Sequence, residues 1–254
     1  MPRSYFTPPE TLFSMKTSLR SFFIAAILSV TAVCVQAAEV VSEAVVLKVS
    51  GSPTVSTGGQ TPVALKVGDK IPVGATITTD DKSAVDIKPF EGTTTTIKAG
   101  STLKITKLTL TTEGGAITKQ TAFLDLAVGN VVSTLDPSKK SINDYSIKTP
   151  RGVAAARGTQ FVTCVTKSGQ TIILVAEGTV TVTGSNGGFV SIPAGRAISV
   201  APDGTVTSLS ASEATDLVFS LAVDGQLQDL NLKIDNNQSS NIDITIPVVS
   251  PSSP

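Results

Sequence analysis

Histidine and tryptophan are absent from this sequence of 254 residues. The first absence removes the commonest general base, the commonest metal ligand and every histidine-assisted nucleophile. Aromatic residues of all kinds make up 4% of the chain. Sugar-binding surfaces that rely on aromatic platforms are therefore disfavoured. No charge of one sign dominates either, with Lys+Arg 20 and Asp+Glu 20. Nucleic-acid binding, which rewards a basic stripe, loses its main support. The two cysteines, Cys34 and Cys164, lie far apart in sequence. Cys164 sits in the strand-like run Gln160–Val165, where a buried core thiol is the expected reading.

What is present is Val, Ile, Leu, Ala and Thr. The β-branched members stiffen χ1 and pack well on a pleated surface, so they favour strands. The composition is that of a globular domain.

The N-terminal region reads as an address. Lys16 and Arg20 precede the apolar run Phe22–Leu28, which continues to Val35. Val35 and Ala37 place small residues at −3 and −1 of a cut after Ala37. The competing reading is a membrane helix, but the uninterrupted apolar run is short for a span of about 20 residues. A signal peptide over 1–37 is expected, with translation starting at Met15. Acylation of Cys34 is disfavoured by the Thr31-Ala32-Val33 that precedes it. Cleavage would leave a net charge of 17 − 19 = −2. No second apolar run of membrane length follows.

The mature part shows many short strand signals separated by turns. Strands are expected at Ala44–Val49, Thr61–Val67, Ala75–Thr79, Ser83–Lys88, Thr93–Lys98 and Thr102–Leu110. In the last, the alternation slips phase near Lys107, which predicts a bulge or bend. Further strands are expected at Thr121–Val128 and Val131–Leu135, with Gly129-Asn130 as a turn between them, and at Tyr145–Lys148. Hairpins follow at Gln160–Thr166/Thr171–Ala176, Thr179–Thr183/Phe189–Ile192 and Ala197–Val200/Val206–Leu209. This pattern predicts an all-β fold, an antiparallel sandwich or jelly-roll-like domain. It shows no βαβ alternation.

One helix is expected over 210–225. Ser210-Ala211-Ser212-Glu213 matches a capping box. Ala214, Leu217, Val218 and Leu221 then follow helical spacing, and Gly225 fits the stop. Beyond it, 226–254 is expected to hold a strand at Ile242–Val249 without an obvious partner, and a disordered tail.

No catalytic constellation emerges. Asp80-Asp81 reads as a turn, because neighbouring strand residues point to opposite faces. The glycines at 184–188 lack the Lys and helix of a phosphate loop. No catalytic, cofactor-binding or metal-binding residue is assigned.

The stretch Thr149-Pro150-Arg151-Gly152 … Arg157-Gly158-Thr159-Gln160-Phe161 resembles the centre of FecR domains. Val67-Gly68-Asp69-Lys70-Ile71, Gly74–Thr79 and Ser83–Ile87 resemble that family's opening, Glu177-Gly178-Thr179-Val180 its later part, and Ala194-Gly195-Arg196 its close. The resemblance covers roughly 44–209. In the family's namesake this domain is the periplasmic part of a transducer relaying receptor occupancy to a sigma factor. The present chain is expected to be a free-standing exported domain, without the transmembrane and anti-sigma parts. It is expected to be periplasmic or secreted, to need no cofactor, and to work through a protein partner in the cell envelope. A ligand- or glycan-binding sensor is the second reading, an enzyme the third. Arg157 is expected to tie loop carbonyls or Glu177 with its planar fork. The functional alternative for Arg157 or Arg151 is an anionic ligand.

Overall fold

A computed structural model describes residues 37–184, 187–210, 212–213, 232–236 and 240–244. The signal segment therefore lies outside the described residues, as does most of the expected helix. Eighteen strands form one continuous network that wraps a single core as a flattened barrel, or two-layered sandwich.

The first five strands are β1 (Ala38–Val41), β2 (Ala44–Ser50), β3 (Thr54–Thr57), β4 (Val63–Ala64) and β5 (Lys70–Ile71). Next come β6 (Ala75–Thr78), β7 (Ala84–Lys88), β8 (Thr93–Ile97), β9 (Thr102–Glu113) and β10 (Ala116–Leu135). After a 3₁₀ turn at Pro137–Lys139 follow β11 (Asn143–Thr149), β12 (Gly152–Ala156), β13 (Gln160–Val165) and β14 (Thr171–Glu177). The last four are β15 (Thr179–Gly184), β16 (Phe189–Pro193), β17 (Arg196–Val200) and β18 (Val206–Ser210).

Strand β10 organises the rest. Its first half pairs with β9 and β11; its second half pairs with β8 and β13. It thus belongs to both layers. Layer A runs β4-β3-β6-β9-β10-β11-β12-β15-β16. Layer B runs β5-β2-β7-β8-β10-β13-β14-β17-β18. Short strand β1 adds to the free stretch of β9.

The crossing point is Gly129, which has φ +106°. A Cβ there would sit 2.2–2.5 Å from Ser101 atoms, so no other residue fits without backbone movement. In place of a side chain, the Ser101 hydroxyl accepts a hydrogen bond from Asn130 N at 2.9 Å. The sequence suggested two strands with a turn at Gly129-Asn130. The structure shows one strand of 20 residues that bends there, as corners of sandwiches commonly do.

Other expectations are corrected in the same way. Thr61–Val67 yields only the two-residue β4. Gly152–Ala156, where no strand was expected, is strand β12. The sheet is not antiparallel throughout, since β10 and β11 run parallel. The bulge foreseen near Lys107 is present: Thr106 is skipped between the Lys107–Phe123 and Ile105–Leu124 pairs. Its hydroxyl donates to Phe123 O at 2.7 Å.

The core lies between the layers. Ile77, Leu103, Ile105, Leu124, Leu126 and Ile147 face it from layer A; Val85, Ile87, Ile97, Val131, Phe161 and Ile173 face it from layer B. Tyr145 is the largest group at its centre. Its ring meets Phe90 and Phe161 edge-on, with centroids 6.5 and 6.1 Å away. Its hydroxyl shares hydrogen bonds with Thr95 (2.9 Å) and Ser133 (2.8 Å) across the core. Burial pushes its pKa up to about 12, against the lowering effect of those two hydrogen bonds.

A separate hairpin pairs β19 (Leu232–Asn236) with β20 (Ser240–Ile244). The strand expected at Ile242–Val249 thus has a partner in its described part.

Candidate functional site

The motif carrying the family resemblance builds a corner joining the two layers. Thr149 ends β11 and Gly152 opens β12, forming a tight hairpin. The Thr149 hydroxyl donates to Gly152 O (3.0 Å) and accepts from Arg151 N (3.2 Å). A Cβ on Gly152 would lie 2.4 Å from Thr183 O of neighbouring β15. That close approach makes glycine obligatory there.

Arg151 leaves this hairpin and reaches the turn between β13 and β14. Its Nε donates to Gly169 O at 3.1 Å, linking layer A to layer B. Arg157, in contrast, is exposed and makes no hydrogen bond or ion pair among the described residues. The role expected of Arg157 is therefore filled by Arg151. Sequence reasoning placed the correct chemistry on the wrong arginine. The signal available was Pro150, which fixes the turn that aims its neighbour.

Arg151 also borders a groove of about 410 Å³ at the C-terminal end of the sandwich. Val182, Phe189 and Val190 line it from layer A, and Ile198, Val200 and Val206 from layer B. Asp203 stands at its rim. Its carboxyl is held below the usual carboxylate range, chiefly by Thr205 N–H (2.8 Å) and the Thr205 hydroxyl; the Arg151 charge adds a smaller effect. Phe189 is 77% exposed and Val206 51%.

The two ends of the sandwich differ. At the N-terminal end the outermost strands, β4 and β5, have two residues each, with Pro62, Lys66, Lys70 and Pro72 around them. Short strands, lysines and prolines are the usual guards of a sheet edge. At the C-terminal end β16 and β18 have five residues each and carry no charge. Among the described residues β16 pairs only with β15, and β18 only with β17.

Asp80 and Asp81 form the turn expected of them. Asp80 Oδ1 accepts from Lys82 N at 2.9 Å, and hydrogen bonds from the Ser83 hydroxyl and then Lys82 N hold its carboxyl below the usual range. No group of three or more His, Cys, Asp or Glu that could hold a metal occurs among the described residues. Nor, among them, is any helix long and apolar enough to cross a membrane. Cys164 is buried, and burial pushes its thiol up to about 12. It faces outward from layer B, however, rather than into the core.

Residues 75–181 match the family model described as FecR protein. This stretch runs from β6 into β15 and contains the spine strand and the Arg151 corner. No curated protein matches the chain. Two crystal structures of a provisionally named anti-sigma factor from Parabacteroides distasonis resemble it at 13% identity, with TM-scores of 0.45 and 0.44. Each alignment covers 57% of this chain and 64% of the other.

Proposed function

We propose that this chain is an exported, non-enzymatic FecR-domain protein that works by contact, as an interaction module of the cell envelope. The observation that carries the reading is the unguarded C-terminal end. Two uncharged five-residue edge strands flank an apolar groove there. An open edge offers unpaired N–H and C=O groups to an extended peptide, and apolar pockets beside it supply specificity. The occupant we favour is an extended segment of a protein partner, with Phe189 and Val206 covered on binding.

A ligand-sensing role is the second reading. It is favoured by the Arg151 guanidinium at the groove, a site suited to a small anion.

Capture from envelope extracts tests both. Wild-type protein should retain a defined protein partner, and Phe189→Asp should lose it while remaining folded. Retention on peptidoglycan or polysaccharide with no protein captured would defeat the first reading and favour the second. Cell fractionation checks export; a cytoplasmic product that still bears residues 1–37 would refute it.

A further inference from the structure

The outer face of layer B has an apolar quadrant that the core does not account for. On β13, Val162 and Cys164 point away from the core that Phe161 and Val165 fill. On β14, Ile172 and Leu174 point away from the core that Ile173 and Val175 fill. Val162, Cys164, Ile172, Leu174 and Ala197 are nonetheless at most 3% exposed. Register makes them one patch: Val162 pairs with Leu174, Cys164 with Ile172, and Leu174 with Ala197. In a single chain such a patch is hidden only by another part of the same chain.

The contacts point to the hairpin of β19 and β20. Strand β19 lies alongside β14. Both edges of β14 are taken by β13 and β17, and its inner face by the core, which leaves the outer face for β19. The hairpin has a matching chemistry. Leu232 pairs with Ile244 and Ile234 with Ile242, so alternation puts four aliphatic residues on one of its faces. Lys233 pairs with Asp243 and Asp235 with Asn241, so the other face carries the charges. An isolated two-stranded hairpin is marginal in water unless an apolar face packs on a further layer. The charged face is the wrong one to pack, because the patch offers Lys233 and Asp235 no polar partner.

We propose that the outer face of β13, β14 and β17 is a docking site for the chain's own C-terminal hairpin, which packs on it through the face bearing Leu232, Ile234, Ile242 and Ile244. The hairpin is a strap. It forms a third layer on this side of layer B and keeps an apolar surface away from water and from other chains. This face is distinct from the edge-strand groove, which Ile198 and Val200 line from the inner side of β17, whereas Ala197 belongs to the covered side.

Cys164 reports on the contact because it lies within the patch. Full-length protein is treated with a thiol reagent, and modification at Cys164 is read by peptide mass spectrometry, separately from Cys34. Ile234→Asp with Ile242→Asp should raise the Cys164 rate about tenfold or more by releasing the hairpin, with the β fold intact by far-UV spectroscopy. Lys233→Ser with Asp243→Ser, on the other face, should react like wild type. An unchanged rate in the folded apolar-face variant overturns the proposal, as does a larger rise in the charged-face variant. So does wild-type protection that disappears on dilution, which would make a second copy the cover. Should the apolar-face variant fail to fold, the absence of tryptophan from the chain supplies a second probe. Ile234→Trp should emit at shorter wavelength than Lys233→Trp and resist quenching by acrylamide. Equal quenching of the two overturns the docked hairpin.

Discussion

The outer faces of layer B on the two sides of β10 are chemically opposite. Towards the N-terminus, β7 and β8 present Ala84, Asp86, Lys88, Thr94 and Thr96, all half-buried. Towards the C-terminus, β13, β14 and β17 present Val162, Cys164, Ile172, Leu174 and Ala197, all buried. The inner faces do not differ in this way, since both sides contribute to one core. A strand with one wet face reads as alternation; a strand covered on both faces reads as a continuous apolar run. The comparison therefore identifies where a third layer belongs. Layer A has no counterpart in its C-terminal half, where Thr179, Thr181 and Thr183 of β15 are exposed. Elsewhere its outer surface bears the ion pairs Lys119–Asp144 (2.8 Å) and Lys148–Asp125 (3.1 Å).

The strand shared by both sides gives the largest expected effect. Gly129→Val would place atoms on Ser101 and impose a side chain on a positive φ. The bend carries β10 from one layer to the other, so both sides lose their common edge. A destabilisation of about 3–5 kcal/mol is expected, seen as a shifted denaturant midpoint. A loss under about 1 kcal/mol would mean the two sides are held together by the core alone.

A paired substitution separates the sides. Leu174→Ala should cost about 2–4 kcal/mol, because its side chain is buried under a cover. Thr96→Ala, at a half-buried outward position of β8, should stay within about 0.5 kcal/mol. Equal, small effects would erase the contrast and show that the C-terminal face is open in solution.

Part of this contrast was legible in the sequence. Val85-Asp86-Ile87-Lys88 announces one wet face and one buried one. Ile172-Ile173-Leu174-Val175-Ala176 announces burial on both, although the neighbouring Gln160–Val165 also passes for simple alternation because Thr163 and Cys164 interrupt it. The hairpins around 169 and 203 were visible because Gly and Asp mark their turns. The bend at Gly129 was not, since glycine followed by asparagine is also a turn signal. Pairing the first half of β10 in parallel with β11 needs contacts between distant residues that no local pattern encodes. The Arg151 contact escaped for the same reason: which arginine reaches Gly169 depends on the path of β12, whose small residues, Gly152 to Ala156, carry no strong strand signal.

The smallest effect concerns the capping box that follows β18, formed between Ser210 and Glu213. Hydrogen bonds from the Ser210 hydroxyl, and then from Ser210 N, hold the Glu213 carboxyl below its ordinary value of 4.5. A carboxylate with a lowered folded-state pKa stabilises the folded form above its unfolded value, and that contribution is lost as the pH falls through the folded one. Protonation converts an acceptor into a weaker one and removes the negative charge favoured at a helix N-terminus. Glu213→Gln keeps the shape without the charge. Wild type should therefore show more helical ellipticity than Glu213→Gln at about pH 6, and the two should converge as the pH falls through the lowered Glu213 pKa, below its ordinary value of 4.5. Because Glu213 is exposed, the gap should shrink in high salt. If the curves coincide at all pH values, the Glu213 charge adds nothing to the cap that follows β18.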